Sequence, residues 1–238
     1  MLRSRSALAL CPADIQTPQN RAPYSGPMIV TKHEHACLVL QKEDAALVID
    51  PGIFTSPFEV ENLVAIVITH EHADHVTAEH LDRLLASAPG IPLYGPAGVT
   101  AALPGYPWRT VRAAETATVA PFALRFTGGT HAIIHSSIPV IDNLGVVVND
   151  QLYYPGDSFT VLDGPIDTLA VPASAPWLKI GEVMDFVAAS QARRAFPVHE
   201  MVNSVAGRSQ ANERIQSVQA DKGGSFQVLA PGESLDLG

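Results

Sequence analysis

Leu63-Val64-Ala65-Ile66-Val67-Ile68-Thr69-His70-Glu71-His72-Ala73-Asp74-His75 is the stretch that decides the fold. Its apolar half has the length and composition of a buried strand, predicted over 64–69. The polar half places three histidines and an aspartate within six residues. Immediately afterwards, Leu81, Leu84, Leu85 and Ala88 recur at helical spacing, with Thr77 as N-cap and Pro89-Gly90 as stop, so a helix is predicted over 77–87. A strand end that turns tightly into a helix exposes successive side chains in one cleft. Alternate positions can converge there on one ion while later ones reach a second.

Imidazole suits zinc, iron and nickel, and an added carboxylate supplies charge and orients bound water. His70-x-His72-x-Asp74-His75 offers both ligand types. A histidine-rich surface turn is the bland alternative, and four donors at a strand-to-helix junction weigh against it.

Outward from this run the texture is regular. Short β-rich segments are predicted at 28–31, 36–40 and 45–49 before it, forming a first sheet with 64–69. A second set is predicted at 91–94, 109–112, 122–127, 145–148 and 152–154, then 168–171 and 195–198. Helices are expected at 97–103, 180–192 and 209–220. Strands flanked by helices in two successive halves imply two sheets packed face to face with helices outside.

The run is similar to the signature of the metallo-β-lactamase fold superfamily, an α/β (α+β) four-layer αββα sandwich. The resemblance implies later ligands at strand ends, and residues stand in the right order for them. Asp50 closes Leu47-Val48-Ile49-Asp50-Pro51-Gly52, His131 follows Thr127-Gly128-Gly129-Thr130, Asp157 sits in Tyr154-Pro155-Gly156-Asp157-Ser158, and His199 ends Phe196-Pro197-Val198-His199. Carried over position by position, His70, His72 and His131 would hold one metal, Asp74, His75 and His199 a second, with Asp157 bridging.

Asp50 would brace a ligand imidazole from behind, although an Asp-Pro-Gly turn explains it equally well. Asp157 is also good turn chemistry, and its place between His131 and His199 favours the ligand reading. His135, four residues past His131, is the rival for that ligand position; His131 is preferred because it follows the glycine pair directly, which leaves His135 as a pocket residue. His35, in His35-Ala36-Cys37, is expected near the cleft. His33 reads as a solvated strand histidine and His80 as structural or solvent-facing. Asp74 and Asp157 are the candidates for orienting a water nucleophile and moving its proton.

The run Asp167-Thr168-Leu169-Ala170-Val171-Pro172 and the later Phe196-Pro197-Val198-His199 resemble the L-ascorbate-6-phosphate lactonase-like branch. This implies hydrolysis of a small ester, lactone or phosphoester with two divalent ions, zinc first and manganese or iron as alternatives. An iron-dependent oxidoreductase and a nucleic-acid phosphodiesterase are the rivals on the same fold.

The 238 residues carry 15 basic and 24 acidic side chains, a net charge of -9, which gives no electrostatic reason to expect nucleic acid. A small-molecule substrate fits better, and Pro176-Trp177-Leu178-Lys179 could set an aromatic wall and a cation beside an anionic one. The alternative for Trp177 is simple core packing. Two cysteines, Cys11 and Cys37, exclude a disulfide framework. No apolar stretch approaches the roughly 18 residues of a membrane span.

A single domain is predicted over 28–238. Residues 1–27 read as a disordered extension, because the apolar core after Arg3 and Arg5 is shorter than the roughly 7 to 15 residues of an export signal. The expected location is therefore cytoplasmic. Oligomeric state is not legible.

Overall fold

The computed structural model describes residues 27–238, so the expectation for the N-terminal extension falls, apart from Pro27, outside the described residues. Eighteen elements are described. A first group comprises β1 (Met28–Lys32), β2 (Leu38–Lys42), β3 (Ala45–Ile49), β4 (Leu63–Val67), α1 (Ala78–Ser87), β5 (Leu93–Gly95), α2 (Ala97–Ala102) and β6 (Trp108–Thr110). The remainder are β7 (Thr116–Val119), β8 (Phe122–Thr130), β9 (Asp142–Val148), β10 (Leu152–Tyr154), β11 (Ile166–Pro172), α3 (Ile180–Ala189), β12 (Ala192–Val198), α4 (Val205–Asp221), β13 (Ser225–Phe226) and β14 (Ser234–Asp236).

Two seven-stranded sheets result, in the orders β14-β1-β2-β3-β4-β5-β6 and β13-β12-β11-β10-β9-β8-β7. Strands at 91–94 and 109–112, expected in the second set, belong to the first sheet: β5 pairs parallel with β4, and β6 with β5. Both follow a helix, and a helical crossover returns the chain parallel to the strand it left.

Period-2 alternation explains the layers. From β3 and β4, Leu47, Ile49, Ala65 and Val67 face the central core, where they meet Phe122, Phe126, Val146 and Phe196 of the other sheet. Their neighbours Ala46, Val48 and Ile66 point outward and pack with Leu81 and Leu84 of α1. On the opposite side Leu169 and Val171 of β11 pack with Val183, Phe186 and Ile215 of α3 and α4. Strands buried on both faces read as continuous apolar runs. The fold is the four-layer αββα sandwich.

Thr77 caps α1, its hydroxyl accepting the His80 N–H at 3.2 Å. Cys37 is a free, buried thiol. No helix among the described residues is long and apolar enough to cross a membrane.

Candidate metal centre

Strand ends deliver the candidate ligands to one place. Asp50 follows β3, His70 to His75 form the turn between β4 and α1, His131 follows β8, Asp157 follows β10 and His199 follows β12. Two glycines make the approach feasible. A Cβ on Gly52 would lie 1.9 Å from the Asp74 carbonyl oxygen, and one on Gly156, at φ +61°, would lie 2.5 Å from Asn143 Oδ1. His35, Asp50 and His199 themselves adopt positive φ, at 60°, 48° and 62°. Such backbone is uncommon outside glycine and concentrates at functional sites.

Three donor groups form among the described residues: His70, His72 and His131; His35, Asp74, His75 and His199; and His70, His75 and Asp157. Asp157 lies between the two histidine sets. Its Oδ1 is 3.2 Å from His75 Nε2, and its Oδ2 is 3.3 Å from His131 Nε2 and 3.2 Å from His199 Nε2. Asp74 Oδ2 lies 3.3 Å from His199 Nε2. All seven residues that the sequence nominated as ligands are brought together.

Hydrogen bonds on the far side of each ring fix its orientation. His75 Nδ1 donates to Asp50 Oδ2 at 2.7 Å, His131 Nδ1 donates to the Ala132 carbonyl, and His199 Nδ1 donates to the Ser174 carbonyl. Thr69 Oγ1 gives its proton to Asp50 Oδ2 at 2.6 Å, so it accepts from His70 Nδ1 at 3.1 Å. In all four rings Nε2 is left facing inward while Nδ1 is held from behind, the support that metal-binding imidazoles commonly have. Thr69 N–H also donates to Asp50 Oδ1 at 2.8 Å, so this buried carboxylate holds three groups at once.

His35 is wired the other way. Its Nδ1 accepts the Met201 backbone N–H at 3.1 Å, which puts the ring proton on Nε2, 3.2 Å from Asp74 Oδ2. Burial holds its pKa down to about 4 against the pull of Asp74, so the ring is neutral. His35 therefore meets the centre as a hydrogen-bond donor, although its distance alone would admit it as a ligand.

Burial likewise holds His70 below the ordinary histidine value, with His75 beside it adding to the effect. His75 and His199 are different: burial opposes their charge, but Asp157 outweighs it, and His199 is raised to about 9. Asp157 stays ionised despite burial because His75 and His199 face it. Asp74 is held well below the usual carboxylate range: burial opposes its charge, but the facing His199 and His35 rings outweigh it. The centre attracts positive charge.

The donor set fits metal ions on one observation above all. His75 Nε2, His131 Nε2, His199 Nε2 and Asp157 Oδ1 are buried and find no hydrogen-bond partner. Orphaned buried polar atoms cost about 1–3 kcal/mol each, and here four of them point at the same small volume.

A domain family described as "Beta-lactamase superfamily domain" matches residues 29–199. The chain belongs to this superfamily. "Protein Rv0786c" of Mycobacterium tuberculosis (strain ATCC 25618 / H37Rv) is 38% identical over 213 residues, covering 87% of this chain and 98% of that protein. Among solved structures, the superfamily member resembles Igni18, a novel metallo hydrolase from the archaeon Ignicoccus hospitalis KIN4/I, with TM-score 0.66 and 17% identity over 89% of this chain and 98% of that one. It also resembles CmlA, a diiron β-hydroxylase from Streptomyces venezuelae, with TM-score 0.63 and 15% identity over 88% of this chain and 53% of that one. At such identities the likeness is one of fold. This β-lactamase-superfamily chain thus has the metallo-β-lactamase sandwich and His/Asp clusters able to bind metal.

The remaining sequence expectations divide. His135 is exposed, bonded to Ser137 Oγ at 2.7 Å, and stands in none of the three donor groups. His33 packs on the Phe58 ring at 4.4 Å and is half-buried, where a solvated position was expected, because the loop after β3 folds over it. His80 is structural, its Nε2 donating to the Thr55 carbonyl. Trp177 does more than pack: its indole N–H donates to Asp157 Oδ2 at 2.8 Å while its ring lies against His131 and Phe159. Lys179 is exposed at the N-cap of α3.

Sequence reasoning missed Thr69 as a relay between Asp50 and His70, and Asn143, whose Oδ1 accepts the Asp157 N–H at 2.9 Å. It also missed the buried Lys32–Glu200 pair, 2.6 Å apart. Glu200 adjoins His199, the only available signal for the last; Asn143 carries none.

Proposed function

We propose that the chain is a binuclear metal-dependent hydrolase acting on a small ester, lactone or phosphoester. The four inward-facing orphaned atoms carry this reading. His70, His72 and His131 would hold one divalent ion and Asp74, His75 and His199 the other, with Asp157 shared. Zinc suits these nitrogen and carboxylate donors. Ions held there supply a water of lowered pKa and polarise the group attacked.

The chain's own residues do the rest. Asp157, fixed by Trp177 and Asn143, keeps the two halves in register. Asp74 is partly exposed at 26% of its side chain, where Asp157 is 3% exposed, so Asp74 is the carboxylate that orients the attacking water, and solvent protonates the leaving alkoxide. The new carbon–oxygen or phosphorus–oxygen bond forms from water as the bond to the alkoxide breaks. No serine or cysteine nucleophile is needed, and the buried Cys37 thiol is held protonated by its burial.

Likeness to the lactonase-like branch over Asp167–Pro172 and Phe196–His199 supports including lactones. The acidic balance supports a small-molecule substrate over nucleic acid, and a cytoplasmic place of action is part of the same proposal. Metal-loaded protein assayed against esters, lactones and phosphodiesters tests the reading. Chelator-sensitive hydrolysis of at least one class is expected; a doubly loaded protein inert to all three would overturn it. The same donors also suit iron, and the CmlA likeness favours a second, oxidative reading, which iron content and oxygen uptake would reveal.

A further inference from the structure

The loops that carry the donors are apolar where they reach solvent. Ile53 and Phe54 follow Asp50 and are 65% and 39% exposed, Ile133 lies two residues beyond His131 and is 69% exposed, and Met201 and Val202 directly succeed the His199-Glu200 pair and are also exposed. Val140, in the returning arm of the His131 loop, is exposed as well and adjoins Ile141, whose carbonyl accepts the His131 N–H at 3.0 Å.

These side chains are tied to the centre rather than scattered. The Phe54 ring meets His35 edge-on at 4.8 Å, the Ile53 N–H donates to the carbonyl of Ala73 between two donors, and the Met201 N–H is the one that sets the His35 proton. Solitary exposed apolar residues are ordinary, but here Phe54 and Met201 both adjoin His35 and Ile133 sits on the loop that carries His131, so the exposed apolar side chains stand on the loops that hold the donors.

Positive charge is lacking in the same loops. Residues 50–62, 131–141, 157–165 and 199–204 contain no lysine or arginine. Lys32 is buried against Glu200, and Lys179 stands exposed at the N-cap of α3. Apart from the ions such a centre would hold, phosphate and carboxylate groups are recognised by arginine forks or lysine charges, and these loops offer neither. A cavity of about 680 Å³ does include Arg214, but beside Glu213, and its lining contains none of the seven donors.

We propose that the substrate of the centre is neutral and carries an apolar acyl or alkyl group, seated on Phe54, Ile133 and Met201, so that within the proposed hydrolase function the class is an apolar ester or lactone and not a phosphorylated compound. The inference rests on that reading for the reaction, but not for the binding of the apolar group.

Straight-chain alkyl hydroxamates from acetyl to octanoyl, which share one metal-binding head, separate the two. Calorimetric affinity for the zinc-loaded protein should rise with chain length by about two- to fourfold per methylene, and a hydroxamate of equal length ending in a carboxylate should bind at least about tenfold more weakly. Ile133→Ser, at an exposed position, should flatten the series without changing metal content. Flat affinities, or equal or tighter binding of the carboxylated analogue, would overturn the proposal. So would a dimer that Ile133→Ser dissociates while the slope persists, since the patch would then be an interface between copies. Matching p-nitrophenyl esters are assayed in parallel. A slope in a protein inert to esters, lactones and phosphodiesters alike leaves the apolar ligand standing and sinks the hydrolase reading; turnover without a slope does the reverse. A chain that takes up no metal overturns both.

Discussion

His35 faces Asp74 with the proton on Nε2 because its Nδ1 accepts, whereas His70, His75, His131 and His199 are each anchored from behind by a donating Nδ1. The Met201 N–H enforces this. His35 is therefore expected to steer Asp74 without binding metal. His35→Gln, whose amide can still donate, should keep two ions per chain, and His35→Ala should weaken the second ion by about 10- to 100-fold while leaving the first intact. Metal titration followed by calorimetry reads this directly; equal loss of an ion in both variants would make His35 a ligand.

Asp50 accepts from His75 and twice from Thr69, and through Thr69 it also orients His70. Asp50→Asn keeps the shape but turns one oxygen into a donor facing other donors. Metal affinity should fall about 10- to 100-fold at both sites, with a lowered melting temperature even in metal-free protein. Unchanged affinity would reduce Asp50 to a turn residue.

Trp177→Phe removes only the indole N–H from Asp157 Oδ2 and keeps a ring against His131 and Phe159. A hydrogen bond to a charged group contributes about 1.5–3 kcal/mol, so metal affinity should drop about tenfold or more with little loss of thermal stability. A large stability loss with affinity preserved would make Trp177 a packing residue alone.

Lys32, at the end of β1, pairs with Glu200, the residue after His199; Lys32 also donates to the His33 carbonyl. Lys32→Met strands a carboxylate that is 12% exposed and should destabilise the fold by about 3–5 kcal/mol. Adding Glu200→Leu should restore much of that. Denaturant unfolding of the single and double variants checks both statements.

The metal-free protein should lose stability at alkaline pH. His199 has a folded value of about 9, raised from 6.5 because Asp157 outweighs the cost of burial. A raised histidine value means the stabilisation is complete below about pH 6.5 and disappears as pH climbs through about 9. His75 moves in the same direction. Melting temperatures of chelated protein should fall across that window more steeply than those of His199→Gln; parallel curves would contradict the assignment.

The sandwich was legible because strands buried on both faces, such as Leu47 to Ile49 and Ala65 to Val67, leave uninterrupted apolar runs that survive any ambiguity about neighbours. Which sheet a strand joins was not. Leu93 and Trp108 sit in short segments whose pairing is set by the crossovers of α1 and α2, and a linear pattern does not encode that choice. The donors were readable from spacing and strand ends, since ligand chemistry restricts the residue types. Thr69, Asn143 and Trp177 act through hydrogen bonds of ordinary kinds, and threonine, asparagine and tryptophan have too many other uses to stand out. The His35 proton depends on one backbone N–H 166 residues away in sequence.

Metal content per chain tests the two-ion centre most directly. Protein purified without chelator, reconstituted with excess zinc and freed of unbound ions should carry two ions per chain by elemental analysis, and Asp157→Ala should carry at most one. Two tightly held ions in Asp157→Ala, or fewer than two in the unaltered chain under saturating zinc, would contradict the shared-carboxylate centre.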